Sequence, residues 1–397
     1  MPEIPDSIKH HLALALVPGL GPKLTAALLE AFGSAAAARE ATAAQLRTIP
    51  HIGDTTAEAF AAALRKVDIE PELRLLEEHG VRPIPLGDPG YPTPLAGLTN
   101  PPPLLYFRGA WTEADATGVG IVGSRVCTAY GRKMAEQLAR GLVRAGVTVV
   151  SGLARGIDAA AHQGALDAGG RTIAVLAGGL SEIYPPEHAD LAVEVAGRGA
   201  LVTETPMTMA PQPGMFPARN RIISGLSRAV VVVEANVRSG ALITARHALE
   251  QGREVFAIPG PADSPTSAGC LELIRNGARL VRSADDILDD LKGLAVPAPP
   301  AEGRRRPAAI TPDHPPLPGF TDGPPPPAGA AKPETPTPPP ALDPIQQNVW
   351  DRLTTRRHAD ELARDTGLGI ADLSRTMMQL ELKRLVRRLP GNFYERR

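Results

Sequence analysis

The sequence predicts an α/β protein: a Rossmann-like parallel sheet core, with an N-terminal helical (helix-hairpin-helix, SAM-like) domain and a C-terminal winged-helix domain. Three observations predict it. Between residues 118 and 283, short β-branched runs alternate with helical patterns, the mark of a parallel sheet covered on both faces. The first 80 residues repeat a helical pattern opened by Pro and Gly. A Pro/Ala-rich stretch then isolates residues 345–397. The expected divisions are a helical domain (1–80), the core (81–292), a linker (293–344) and the winged helix (345–397).

Composition bounds the function. A chain of 397 residues suits two or three domains. Its formal net charge of −1 means that a nucleic-acid site has to be a local patch. Two cysteines, Cys127 and Cys270, without a CxxC spacing, exclude a disulfide framework or zinc ribbon and fit a reducing cytoplasm. The opening "MPEIPDSIKHHLAL" lacks a signal-peptide pattern, and no run of 18 apolar residues offers a membrane span. No metal cluster or cofactor site is expected.

The helical front comes first. "LVPGLGPKLTAALLEAFG" (16–33) and "TIPHIGDTTAEAFAAAL" (48–64) both read apolar-Pro-x-apolar-Gly and then a helix. Such a glycine turn exposes backbone N–H groups at a helix start, where a phosphate can sit; a plain helical hairpin needs the same glycine. "GLGPKL" mimics a phosphate loop, but Leu24 follows Lys23 where Ser or Thr has to hold magnesium, so ATP is excluded there.

In the core, "GVGIVG" (118–123) reads as a strand and "YGRKMAEQLARGLVRAG" (130–146) as an amphipathic helix. "VTVVSG" (147–152) is a strand and "GIDAAAHQGALDAG" (156–169) a helix. "RTIAVLAGG" (171–179), "GALVTET" (199–205), "AVVVVEA" (229–235) and "REVFAIPG" (253–260) are further strands. "GVGIVG" also matches the dinucleotide fingerprint G-x-G-x-x-G. There the first glycine ends the strand; here Gly118 and Gly120 precede or lie within it, and no acidic residue closes the next strand. No dinucleotide is therefore expected.

The chemistry lies at the strand ends. Gly123, Ser124 and Arg125 follow the first strand, and Gly152, Arg155, Gly156 and Asp158 the second, with His162 behind. Gly178 and Gly179 follow the third, then Tyr184. Phe216, Arg219, Asn220 and Arg221 come after Glu204, and Ser239, Gly240 and Thr244 after Glu234. Ligands of open α/β sheets bind outside the carboxyl ends of the strands, and Gly, Ser, Thr and Arg converging there suit phosphate. Singly, Asp158 can cap a helix, and Arg155 and Arg219 can bridge to acids such as Asp158 and Glu204. Aromatics make up only 4% of the chain, which leaves Tyr184 and Phe216 as stacking candidates for bases.

The order "GSR", "SGLARGID", "GGLSEIYP", "FPARNRIISGLS", "VVEANVRSGALITA" and "VFAIPG" closely resembles the DNA-processing protein A family (DprA, also called Smf). "YPTPLAGLTNPPPLLYFRG" (91–109) and "LIRNGA" (273–278) extend the resemblance over roughly residues 90–290. The resemblance implies a homodimeric, non-enzymatic protein that binds and protects single-stranded DNA and helps load the RecA recombinase in natural transformation and recombination. It places Gly123–Arg125, Arg155–Asp158 and Phe216–Arg221 in the DNA groove. Two departures stand out. "APQPGMFP" lacks the lysine members often carry before Phe-Pro, and Gly269-Cys270-Leu271 lacks an expected Asn.

The competing expectation is a phosphoribohydrolase-like enzyme of the same sheet topology, with the signature Pro-Gly-Gly-x-Gly-Thr-x-x-Glu. Thr244 fits it, but His247 stands at the glutamate position and Arg238-Ser239 replaces Pro-Gly. Acid–base cleavage then lacks its carboxylate.

In the tail, "PIQQNVWDRL" (344–353), "HADELARDTG" (358–367) and "IADLSRTMMQLELKRL" (370–385) read as three helices. "VRRLPGNFYERR" (386–397) reads as a hairpin turning at Pro390-Gly391. Lys and Arg outnumber Asp and Glu eleven to seven in residues 345–397. Winged helices of this kind contact DNA or protein.

Overall fold

The computed structural model describes residues 4–292 and, in the tail, 343–353, 357–366, 368, 372–373, 376–377, 379–380, 385–389 and 393–396. The expected linker lies outside the described residues, apart from its last two positions. The described residues form two compact units, within Met1–Gly319 and Phe320–Arg397.

The first unit begins with helices α1 (Asp6–Leu16), α2 (Pro22–Phe32), α3 (Ala35–Arg39), α4 (Ala43–Leu46), α5 (Asp54–Lys66) and α6 (Glu70–Glu78). Local chemistry punctuates them. Gly33 ends α2 in the left-handed conformation, Ser34 caps α3, and Thr42 and Gln45 form a reciprocal capping box on α4. Leu14, Leu28, Leu46, Phe60 and Leu64 build a small core of their own. Helix α1 serves two cores: Leu14 packs in this one, while Leu12 packs with Leu76, Val81, Leu104 and Tyr106 against the sheet.

The sheet has nine strands: β1 (Val81–Pro85), β2 (Leu104–Gly109), β3 (Val119–Gly123), β4 (Val149–Ser151), β5 (Thr172–Val175), β6 (Ala200–Thr203), β7 (Ala229–Val233), β8 (Glu254–Ala257) and β9 (Arg279–Leu280). Their spatial order is β1-β2-β6-β5-β4-β3-β7-β8-β9. From β6 to β9 every pairing is parallel, as the alternating pattern predicts. At the other margin β2 runs antiparallel to both β6 and β1, so the sheet is mixed. In β1, Leu86 just beyond the strand donates its N–H to Pro103 O (3.0 Å). Backbone alternation therefore turns the nitrogens of Pro83 and Pro85 toward the free margin, the position a strand proline tolerates.

Helices cover both faces. The remaining helices of this unit are α7 (Thr93–Ala96), α8 (Ala129–Arg144), α9 (Ile157–Asp167), α10 (Ala189–Arg198), α11 (Met215–Gly225), α12 (Gly240–Glu250), α13 (Ala268–Arg275) and α14 (Ala284–Lys292). Val119, Ile121, Val231 and Val233 face Leu138, Leu142 and Ile157 on the α8/α9 side. Val122, Val150, Val230 and Val232 face Ile222, Leu242 and Ala245 on the α11/α12 side. This is the period-two alternation of strands buried on both faces. Successive connections from β3 run to one side through β4 and β5, while β7 leads to the other through β8. The topological switch point thus falls between β3 and β7.

The tail unit contains α15 (Pro344–Arg352), α16 (Ala359–Thr366) and a three-stranded sheet in the order β10-β12-β11, with β10 (Arg357–His358), β11 (Val386–Leu389) and β12 (Phe393–Arg396). Asp343 caps α15 by accepting from the N–H groups of Ile345 (3.0 Å) and Gln346 (2.8 Å). Val349, Leu362, Leu373, Met377, Leu380 and Tyr394 form its core. The hairpin pairs Val386 with Arg396 and Leu389 with Phe393. Its expected turn at Pro390-Gly391 lies outside the described residues, as does much of the expected helix 370–385. Among the described residues, no helix is long and apolar enough to cross a membrane.

A candidate single-strand binding cleft

A shallow recess opens over the carboxyl ends of β4 and β5, bounded on one side by the loop after β3 and on another by the start of α11. It brings together Arg125, Gly152, Arg155, Gly178, Gly179, Tyr184, Phe216 and Arg219.

The most telling contact is a short ladder. The exposed Arg125 guanidinium sits over the Phe216 ring, 4.7 Å from its centroid, and Phe216 in turn meets Tyr184, with ring centroids 5.9 Å apart and tilted by 57°. One cation and two rings, from two loops and the first turn of α11, thus share a surface. Tyr184 is joined to Pro185 by a cis peptide bond.

The loops that carry these groups are shaped by small residues. Gly123 has no room for a Cβ, which would run into Val233 O and the Ile157 side chain. Gly152 is equally tight: a Cβ there would strike the Arg219 guanidinium and lie 2.6 Å from Asp158 Oδ2. Ser124 spends its hydroxyl on a tight turn, donating to Val126 O (2.7 Å) and accepting from Val126 N–H (3.2 Å). Gly156 takes a positive φ of 76° and packs on the carbonyls of Ser124 and Arg125.

Several residues expected to contact DNA are engaged within the protein. Arg219 is buried; one guanidinium nitrogen donates to Gly152 O (2.7 Å) and to Val175 O, tying together the ends of β4 and β5. Asp158 is buried behind Gly152. Burial pushes its carboxyl upward while the positive charge of Arg219 opposes that shift. Burial likewise lowers Arg219 to about 10, against the pull of Asp158. Arg221 pairs with Glu204 and donates to Asn100 O (2.9 Å). Arg221 and Arg219 both line a second, larger hollow beneath the first helical hairpin. Asn220 donates to Gly240 O (3.2 Å), Ser239 caps α12 by accepting from Ala241 N–H (3.3 Å), and Thr244 is buried in that helix. Buried polar groups have to be satisfied locally, so these residues hold loops together; of them Arg219 also lines the cleft. Arg155 does line it, paired with Glu187 at the surface.

Sequence reasoning missed the walls supplied by Ala154, Leu176, Ala177 and Pro211 and the acid Glu182. It also missed Glu187 as the partner of Arg155. A strand-end position signals proximity to a ligand, but nothing local signals which acid an arginine will meet across two loops.

His162, behind the cleft in α9, is fully buried. Thr172 Oγ1 donates to Val149 O (2.9 Å), so at the 2.7 Å contact with His162 Nδ1 the imidazole is the donor and Nε2 carries the lone pair. No described group meets Nε2. Burial first, then the charges of His188 and Arg219, pull His162 from 6.5 down to about 3. The unfolded chain takes up the proton below 6.5 and the folded chain does not. Stability is therefore intact above that value and declines as pH falls toward 3. At pH 5 the loss from this residue is about 2 kcal/mol. Urea unfolding at pH 7.5, 6 and 5 should show wild type losing that much more than His162→Asn; parallel declines would refute the assignment.

A family model described as "DNA recombination-mediator protein A" matches residues 82–292. Protein Smf of Synechocystis is 37% identical over 399 residues, covering 97% of this chain and 98% of its own. The chain belongs to the DprA/Smf family. The family's flanking domains are matched as well: a SAM-like helix-hairpin-helix tandem at residues 12–66 and a DprA winged helix domain at 333–392. DNA processing protein DprA of Bacillus subtilis is 43% identical over 252 residues, 62% of this chain and 85% of that one. The X-ray structure of DprA from Streptococcus pneumoniae superposes with a TM-score of 0.63 at 35% identity, covering 72% of this chain and 98% of that one.

Proposed function

We propose that this DprA/Smf protein binds single-stranded DNA without sequence preference, in the cleft over β4 and β5. The observation that carries the reading is the Arg125–Phe216–Tyr184 ladder. A single strand needs a cation for its backbone and ring faces for its bases, and the ladder supplies both. Stacking on rings tolerates every base, because every base has a ring face to offer.

Family membership supports placing this binding in natural transformation and DNA recombination, where the protein protects incoming strands and helps load RecA, acting as a homodimer in the cytoplasm. Binding, not catalysis, is the proposed role. His247, at the position of the hydrolase glutamate, contacts Glu250 on its own helix at 3.2 Å.

A gel-shift titration of single- and double-stranded oligonucleotides tests this reading. Full-length protein should prefer the single strand, and a chain ending at residue 296 should keep most of that affinity, because the first compact unit contains the whole cleft. Complete loss of single-strand binding in the shortened chain would move the principal site to the tail.

A further inference from the structure

We propose that Glu234 is a positioning residue that clamps the Arg125 loop for DNA; this rests on the single-strand reading of the cleft. Glu234 lies just past β7, at the switch point, and touches the loop between β3 and α8 at both ends. Its backbone carbonyl accepts from Ser124 N–H (2.7 Å). Its carboxylate accepts from the backbone N–H of Thr128 (2.8 Å) and from the Thr128 hydroxyl. Between those anchors stand Arg125, Val126 and Cys127, and the Ser124–Val126 turn closes the near side.

Two further features mark this arrangement as built. Glu234 has a φ of +53°, a left-handed conformation that costs a residue with a side chain, yet here the carbonyl and the carboxylate of one residue reach opposite ends of one loop. Residue 131, in the first turn of α8, is glycine. A Cβ there would collide with the Glu234 carboxylate and lie 2.9 Å from its Cγ. Glycine is unfavourable in a helix, and admitting Glu234 accounts for it. Thr128 links the clamp to the helix, because its hydroxyl also accepts from Gly131 N–H (3.2 Å). Arg125 itself has no role in this network, so its place over Phe216 depends on the loop being held.

The test is a set of poly-dT titrations on the full chain at several salt concentrations, with a melting curve for each variant. Glu234→Ala and Thr128→Val should each weaken binding about three- to ten-fold and flatten the salt dependence. Thr128→Ser, which keeps the hydroxyl, should return within about two-fold of wild type. In the Arg125→Ala background neither change should cost anything further, because there is no longer a cation to place. Folded Thr128→Val with wild-type affinity and salt slope would overturn the clamp. So would the same penalty with and without Arg125, since a merely structural role predicts that. If Glu234→Ala fails to fold, the Thr128 variants decide alone. Wild-type affinity in Arg125→Ala by itself would instead bring down the strand-binding reading, and the clamp with it.

Discussion

Arg125→Ala should weaken single-strand binding by roughly ten- to hundred-fold while leaving the melting temperature in place. A charge-assisted phosphate contact contributes about 1.5–3 kcal/mol, which gives that range. The side chain is exposed and rests on the Phe216 ring, so its removal deprives the fold of little. Each phosphate contact on a single strand releases condensed cation, and the slope of log affinity against log salt should shrink by about 0.7. Salt titrations of wild type and variant on poly-dT measure both quantities. Unchanged affinity and slope in a folded variant would mean that the ladder does not meet the strand.

Asp158→Asn should do the opposite: lower stability by about 3–5 kcal/mol in the first compact unit. The substitution keeps the shape and removes the negative charge that faces Arg219 across Gly152. A buried cation stripped of its counter-charge is among the most destabilising lesions a core can carry, and the carbonyls of Gly152 and Val175 offset it only in part. Urea unfolding midpoints at neutral pH report the difference. A variant as stable as wild type would show that the two carbonyls suffice for Arg219 and that Asp158 is not its counter-ion.

These two arginines show where sequence reading succeeds and where it stops. Arg125 and Arg219 look alike in the sequence, each an arginine within a family-like motif. Their exposure differs because α11 packs Arg219 inward while the β3 loop turns Arg125 outward, a tertiary fact with no local signature. The parallel strands were legible because β3 to β8 are β-branched runs between helices. Strands β1 and β2 were not: Pro83 and Pro85 read as breakers, and "LLYFRG" follows three prolines with no helix to frame it. Gly123, Gly152 and Gly179 are points of close approach, but the sequence does not say what approaches. At Gly152 it is two buried charged side chains of the protein itself, Arg219 and Asp158.

The prolines of β1 have a consequence for assembly. A bare strand at the border of a sheet is a template on which another chain can be laid, hydrogen bond by hydrogen bond. Here one border shows Pro83 and Pro85 with no N–H to offer, and the opposite border is β9, two residues long. Neither invites continuation. Two copies of this protein that associate should therefore meet through side chains on helices and loops. The cohesion of such a pair would then be open to tuning by single substitutions, without opening a route to strand exchange or fibre growth.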